Sequence, residues 1–591
     1  AIPELKALYD KNPDAKKVID VAKKLEGVAR HASVHACGVV ISAEPLTNYM
    51  ALQKAPQGDD SIITQCEMHA VEDLGVLKMD FLGLKNLTII EKTLRIIREL
   101  HGVVIDIDAL PLDDQKTFEL LRAGDTTGVF QLESSGMRHY LKELVPTELE
   151  DIIAMISLYR PGPMELIPSY ILRKHGKEEV AYIHPRLEPI LKNTYGVGVY
   201  QEQMMRIARD LAGFTLAEAD TLRKAIGKKI KELLAEQKMK LINGMVKNGI
   251  SEKTAKEIWE LFPPFARYGF NRSHAACYAT ISYQTAYLKA HYPVEFTTSL
   301  LNVSGADIDR IDFLVSEARH LNIKVLPPDI NLSAEDFAVD GPNIRFGLSA
   351  IKNVGTNIVQ YIIEERNNNG PYADFTNFIN RMHHKDLNKK SLESLAMAGA
   401  FDSLGITRGD ILANIEDIIL FNQTAKRNKA TNQNSLFGAD QSVSKLRIKP
   451  APPVDKGTIL KWEKELLGIY VTGHPFQPFI PLLRGKIKPI KEVLTMPPTK
   501  YERNGGSKEW VAGAVSVIEK IVTKKGTPML FVTIEDGVEK IELLVFEEAI
   551  KKTPLAWEVG KCIAASGRVS FKNDEQKFIC DEARILVEPK K

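Results

Sequence analysis

Trp510-Val511-Ala512-Gly513-Ala514-Val515-Ser516-Val517-Ile518-Glu519 is the first of five β-rich runs that close the sequence. The others are Met529 to Ile534, Ile541 to Phe546, Cys562 to Val569 and Phe578 to Ile585, with a helical segment near Glu547 to Lys552. Branched and aromatic side chains suit a pleated, half-buried surface, so each run reads as a strand. Five strands with a helix between the third and fourth form the pattern of an OB-fold, a small barrel that often binds oligonucleotides.

Upstream of this barrel the character changes. Lys449 to Gly505 is rich in Pro and Lys and reads as a connector, with Leu460 to Tyr470 as a possible docked helix inside it. Before it, Gln423 to Gln441 is polar and lacks periodicity. Residues 321 to 425 show shorter helices with glycine hairpins at Val354-Gly355 and Ala398-Gly399. From Leu87 to His320 long helical patterns dominate, broken by Pro and Gly at Pro161-Gly162-Pro163 and Pro263-Pro264. Two strand-like runs, Gly38 to Ile41 and Val76 to Asp80, follow amphipathic segments within Ala1 to Leu25. With 591 residues, and at roughly 100–200 residues per domain, the chain is multidomain α+β.

Composition narrows the class further. Hydrophobic residues make up 44% and charged residues 26%, which excludes disorder and fibrous repeats. No run of about 18 uncharged apolar residues occurs, so no membrane partner is expected. Five scattered cysteines, Cys37, Cys66, Cys277, Cys562 and Cys580, form no paired framework or zinc spacing, which points to a reducing, cytoplasmic compartment. A net charge of +2 does not by itself announce a nucleic-acid protein, so the distribution of charge has to decide.

The densest basic run is Thr221 to Asn248, where Arg223, Lys224 and Lys228 flank a helix end at Gly227 and could meet one polyanion. Against this stands the plain reading of a solvated helix face. At Tyr268-Gly269-Phe270-Asn271-Arg272-Ser273-His274, aromatic, guanidinium, amide, hydroxyl and imidazole groups crowd together, a mixture suited to stacking on a base while binding phosphate. Period two puts Lys78 and Asp80 on one face of a strand end, a plausible metal and triphosphate pair, although an aspartate there is more often a cap or turn residue. Asp106 and Asp108 superficially offer paired carboxylates; with Leu110, Pro111 and Leu112 directly after them, a cap or turn is the better reading.

Eight strings resemble the bacterial family C replicative polymerase, the DNA polymerase III alpha subunit: Arg30 to Ile41, Lys78 to Leu84, Gly128 to Met137, Ser157 to Pro163, Val199 to Met204, Leu222 to Lys229, Tyr268 to His274 and Ser282 to Pro293. The resemblance runs from about Lys24 through the OB segment. It implies the end of a thumb-like helical subdomain over 1–33 and the C-terminal part of a polymerase-beta-type palm over 34–86. It further implies helical fingers over 87–320, a helix-hairpin-helix and clamp-binding region over 321–425, a clamp motif and linker over 426–505, and the OB-fold β-barrel over 506–591.

The resemblance also assigns roles. Asp80 matches a catalytic, metal-binding aspartate serving two Mg2+ ions in the complete enzyme. Lys78, Arg223, Lys224, Lys228, Asn271, Arg272, Ser273 and His274 match a surface that grips the incoming dNTP. Lys352, Asn353 and Gly355 are expected to contact DNA, primer-template or single-stranded, and Gln433, Leu436 and Phe437 to bind the sliding clamp. Two departures accompany these matches. No Pro-Asp-x-Asp string precedes Ala1, so the two aspartates expected beside Asp80 are absent, and so is an N-terminal domain. The segment expected after the OB-fold to bind the clamp loader is also absent, which leaves the clamp loader and a proofreading exonuclease without docking domains. The expectation is therefore part of a DNA-directed DNA polymerase, inactive by itself. The alternative is a non-catalytic module that binds DNA and the clamp.

Overall fold

The computed structural model describes residues 3–28, 30–35, 37–56, 61–227, 231–262, 269–305, 307–431, 446–494, 496, 508–523, 526–572 and 575–587. The chain divides into two compact units, Ala1–Lys85 and Asn86–Lys591.

The first unit opens with helices Pro3–Lys11 and Pro13–Leu25. Asn12 separates them by accepting hydrogen bonds from the N–H groups of Asp14 and Ala15, and Pro13 sits where a helix tolerates it. Strand β1 (Gly38–Ile41) pairs antiparallel with β4 (Leu77–Asp80), setting Gly38 opposite Asp80. Strands β2 (Leu52–Lys54) and β3 (Ile62–Thr64) form a second antiparallel pair. Met50, Ala55 and Val71 are the only buried apolar side chains among the described residues of this unit. Val39, Ile41, Leu77, Met79 and Phe81 are exposed, so the β1–β4 ribbon derives little stability from burial.

In the second unit, one core joins Ile89 and Ile97 of helix Lys85–His101 to Phe296 and Leu300, to Ile311 and Leu314, and on to Phe346, Ile358, Phe378, Leu392 and Phe401. A single hydrophobic body thus runs across residue 320, and the small sheet β5 (Val325–Leu326), β7 (Asn343–Arg345), β6 (Ala338–Asp340) lies within it. A second core is built on helices Leu149–Leu158 and Arg272–His291, and a third on Gln201–Ala212, Leu216–Gly227 and Lys231–Lys247.

Within the Pro- and Lys-rich stretch, helix Lys456–Leu467 is docked, not extended, because Leu460, Leu466 and Leu467 are buried. Glu463 is wholly buried and takes hydrogen bonds from Arg408, from the N–H groups of Val471 and Thr472, and from the Thr472 hydroxyl. Helix Ile415–Thr431 also continues through Gln423 into the polar stretch. No Pro or Gly interrupts it, and the Asn422 amide ties it to the carbonyls of Ile379 and Met382.

Strands β8 (Glu509–Val522), β9 (Pro528–Glu535), β10 (Lys540–Phe546), β11 (Cys562–Lys572) and β12 (Glu575–Ile585) close on one another in the order β10-β12-β11-β8-β9. The parallel pairing of β10 with β12 makes the closure, and helix Glu547–Lys552 follows the third strand of the five. Inward-facing Val511, Val532, Ile534, Leu543, Val545, Ile563 and Phe578 fill the interior. Full closure leaves no open sheet edge to be satisfied by another chain.

Candidate functional site

Helix Arg272–His291 starts at Asn271, whose side-chain oxygen accepts the His274 N–H at 2.9 Å. The preceding Phe270 is locked to the Val199–Gln201 segment by two backbone hydrogen bonds, so the start of this helix and that of Gln201–Ala212 are held together. Glu202 reinforces the junction by accepting the Arg272 N–H with both carboxylate oxygens, at 3.0 and 3.1 Å. The Arg272 guanidinium bonds Glu150 at 2.5 Å and lies over the Tyr200 ring, 5.8 Å from its centre. Ser273 donates its hydroxyl to the Asn271 side chain.

An aromatic stack runs from this corner. The Arg160 guanidinium sits 4.3 Å above the Phe270 ring, Phe270 meets His274 edge-on, and His274 stacks on Tyr278 at 4.3 Å. Tyr278 in turn contacts Phe130. Burial pushes the Arg160 guanidinium below its ordinary pKa. A cation over an aromatic face, with imidazole and phenol rings beyond it, offers flat apolar surface beside positive charge.

Arg223 and Lys224 lie on helix Leu216–Gly227, which a three-residue turn folds back against Gln201–Ala212. Neither cation is free. Arg223 donates two hydrogen bonds to Asp220 Oδ1 at 2.8 and 2.9 Å, and Lys224 reaches Asp220 Oδ2 at 2.9 Å. Lys224 first, then Arg223, hold the Asp220 carboxyl below its ordinary pKa. Lys228 lies outside the described residues, as do Gln433, Leu436 and Phe437.

In the first unit, Asp80 ends β4 and is exposed; Lys78 donates to its Oδ1 at 2.6 Å, as alternation along a strand requires. That hydrogen bond, with a smaller contribution from His35, holds the Asp80 carboxyl below its ordinary range. A ring nitrogen of His35, Cys37 Sγ and an Asp80 oxygen all lie within 4.8 Å of one another. Asp106 caps the short helical turn Ile107–Ala109, and Asp108 accepts from the Gln284 amide, so these two carboxylates serve local structure.

At the hairpin around 352–355, Asn353 adopts φ +69° and Gly355 begins helix Thr356–Asn369 with no side chain capping it. The Lys352 N–H is spent on the Leu466 carbonyl at 3.0 Å. The exposed Lys352 side chain and the uncapped first turn remain open to an anion.

Sequence reasoning passed over Glu150, because it lies 122 positions from the cation it orients; it attached no role to Asp220, although this stands three and four positions before Arg223 and Lys224 on one helix, or to Tyr200 and Glu202, which lie within the Val199 to Met204 string. Arg160, His35 and Cys37 did lie within strings singled out in the sequence, without a role attached.

The fold thus joins helical bodies, a hairpin with an open helix start and a closed five-stranded barrel. Family comparison agrees part by part. Residues 1–83 match the bacterial DNA polymerase III alpha NTPase domain, 86–249 the finger domain of that subunit, 322–411 a helix-hairpin-helix motif, and 509–586 an OB-fold nucleic acid binding domain. The chain belongs to the bacterial DNA polymerase III alpha subunit family. It is 45% identical to the DNA polymerase III subunit alpha of Thermus aquaticus over 553 residues, 93% of this chain and 45% of that protein. It is 41% identical to that of Bacillus subtilis over 591 residues, 99% of this chain and 51% of the relative. The chain therefore spans about half the length of the curated relatives it matches. No helix among the described residues is long and apolar enough to cross a membrane.

Proposed function

We propose that this chain is the nucleotide-gripping and DNA-guiding part of a replicative DNA-directed DNA polymerase, which extends a primer 3′ end with dNTPs. The observation that carries this reading is the helix start at Asn271 to His274, where an oriented guanidinium, a hydroxyl and an aromatic stack converge beyond the C-terminal end of the finger-domain match over 86–249. In the free chain carboxylates hold the cations, Glu150 on Arg272 and Asp220 on Arg223 and Lys224. A triphosphate carries more charge than one carboxylate and offers the fork geometry arginine prefers, so binding exchanges one anion for another without exposing a bare charge. Stacking on the His274 and Tyr278 rings would hold a base independently of its identity, which leaves sequence choice to the template.

The metal is a separate matter. Two-metal nucleotidyl transfer needs carboxylates bridging ions about 3.5–4 Å apart, and magnesium demands oxygen ligands. Around Asp80 the described neighbours are a thiol, an imidazole and the Lys78 ammonium, which has no lone pair to offer a metal, with no second carboxylate in the group. These residues alone do not fit two magnesium ions. Purified chain 1–591 is therefore expected to bind dNTP and DNA without extending a primer. Template-dependent incorporation above background would overturn the inactivity. Loss of dNTP binding in Arg272→Ala with unchanged DNA binding would support the assigned grip, and unaltered dNTP binding would remove it.

The second reading, a module that binds DNA and the sliding clamp without catalysis, is favoured by the same lone carboxylate. A full-length version with Asp80→Asn separates the two, since only the polymerase reading predicts loss of synthesis with the fold intact.

A further inference from the structure

We propose that His35, Cys37 and Asp80 form a binding site for a thiophilic divalent cation of the zinc class, distinct in donor set from the magnesium chemistry expected at Asp80. The three ligand atoms fall within 4.8 Å of one another, and among the described residues this is the one group of three or more such side chains able to share an ion. His35 Nδ1 lies 3.7 Å from Cys37 Sγ. Tetrahedral zinc with Zn–S of about 2.3 Å and Zn–N of about 2.0–2.1 Å sets sulfur and nitrogen about 3.5 Å apart, close to the spacing of this pair, provided that Nδ1 gives up the N–H groups it accepts.

Local structure holds the donors in place. The Gly38–Asp80 register of β1 and β4 brings the Cys37 end of one strand beside the carboxylate of the other, and the Phe81 N–H bonds the Cys37 carbonyl at 2.8 Å. Gly38 makes the cradle possible: a Cβ there would stand 2.9 Å from His35 Nδ1 and 3.1 Å from the Lys78 side chain.

Two of the three donors face positive groups. The Cys37 and Gly38 N–H groups point at His35 Nδ1 at 3.2 and 2.7 Å, and the Lys78 ammonium sits on Asp80 at 2.6 Å. An arriving cation takes over the role of these N–H groups and of the ammonium. The Cys37 thiol releases its proton to solvent, the thiolate and the imidazole bond the ion, Asp80 turns from Lys78 to the ion, and water completes the shell. Softness decides the choice of metal: thiolate and imidazole select zinc-like ions, while magnesium and calcium prefer oxygen. One consequence rests on the polymerase reading above, namely that a bound thiophilic ion withdraws Asp80 from catalysis and so inhibits synthesis.

The test is Co2+ titration of the full chain in the absence of DNA and nucleotide, read by the near-ultraviolet thiolate-to-cobalt absorption and the visible bands of tetrahedral cobalt. Wild type, Cys66→Ser and Cys277→Ser should show the bands, and Zn2+ should bleach them. Cys37→Ser should abolish the thiolate band, while His35→Ala and Asp80→Asn should weaken binding by at least about tenfold. Zn2+ but not Mg2+ should also protect Cys37 from iodoacetamide in the wild-type protein, a readout that needs no variant. Bands that survive Cys37→Ser, absence of bands in wild type, or alkylation indifferent to Zn2+ would each overturn the site. Because no turnover is measured, such a failure leaves the catalytic reading of Asp80 untouched, and loss of the catalytic reading leaves the titration standing.

Discussion

Gly355 offers a sharp separation of folding from DNA binding. Its φ of −80° is open to any residue, and a Cβ built on it meets nothing within 4 Å among the described residues. Folding therefore does not require glycine here. Gly355→Ala loses a little capping preference and gains back a similar amount from the reduced freedom of the unfolded chain, for a net change within about 1 kcal/mol. A phosphate seated on the open first turn of Thr356–Asn369 would meet the new methyl directly. Losing one charge-assisted N–H to phosphate bond costs about 1.5–3 kcal/mol, or roughly 10- to 150-fold in affinity. The assay is fluorescence anisotropy with primer-template DNA at several salt concentrations, paired with thermal denaturation. Equal affinity for variant and wild type would refute the backbone contact, and a matching fall in Tm would show that the glycine serves the fold. Lys352→Ala should weaken binding evenly across sequences and reduce the salt slope by about one, because its contribution is a point charge.

Other expectations follow from named contacts. Glu150→Gln removes the carboxylate that holds Arg272, an exposed pair worth about 0.2–1 kcal/mol, and should tighten dNTP binding about 1.5- to 5-fold in equilibrium titration. Glu463→Ala leaves Arg408 buried with one carboxylate fewer and should cost about 3–5 kcal/mol in urea unfolding, monitored by circular dichroism. Glu535 should make stability acid-sensitive. Burial by itself would raise its pKa, but His474, Lys540 and Lys464 outweigh burial and bring it down to about 2 from 4.5. The folded value is the lower one, so up to about 3 kcal/mol of stability is present above pH 4.5 and is lost as pH falls toward 2. Glu535→Gln should flatten that part of the profile in unfolding curves measured from pH 6 to 2.5.

How much of this could be read from the chain alone depends on range. Helix caps such as Asn12 and Asn271, the Lys78 and Asp80 face of β4, the capping role of Asp106, and the alternation in β8 to β12 are set by neighbours within four residues, where backbone geometry dictates which groups meet. Motif strings added the family, because letters in order survive where contacts are unknown. What tertiary structure decided is which charge faces which. Arg272 finds Glu150, 122 positions away, only because helices Leu149–Leu158 and Arg272–His291 share a core, and Asp312 pairs with Lys540, 228 positions on, only because the barrel docks on helix Ile308–His320. The same holds for the Lys352 N–H, which the fold commits to the Leu466 carbonyl. A polar group's partner is fixed by whichever apolar surfaces pack together, and that packing is a property of the whole chain, not of any window along it.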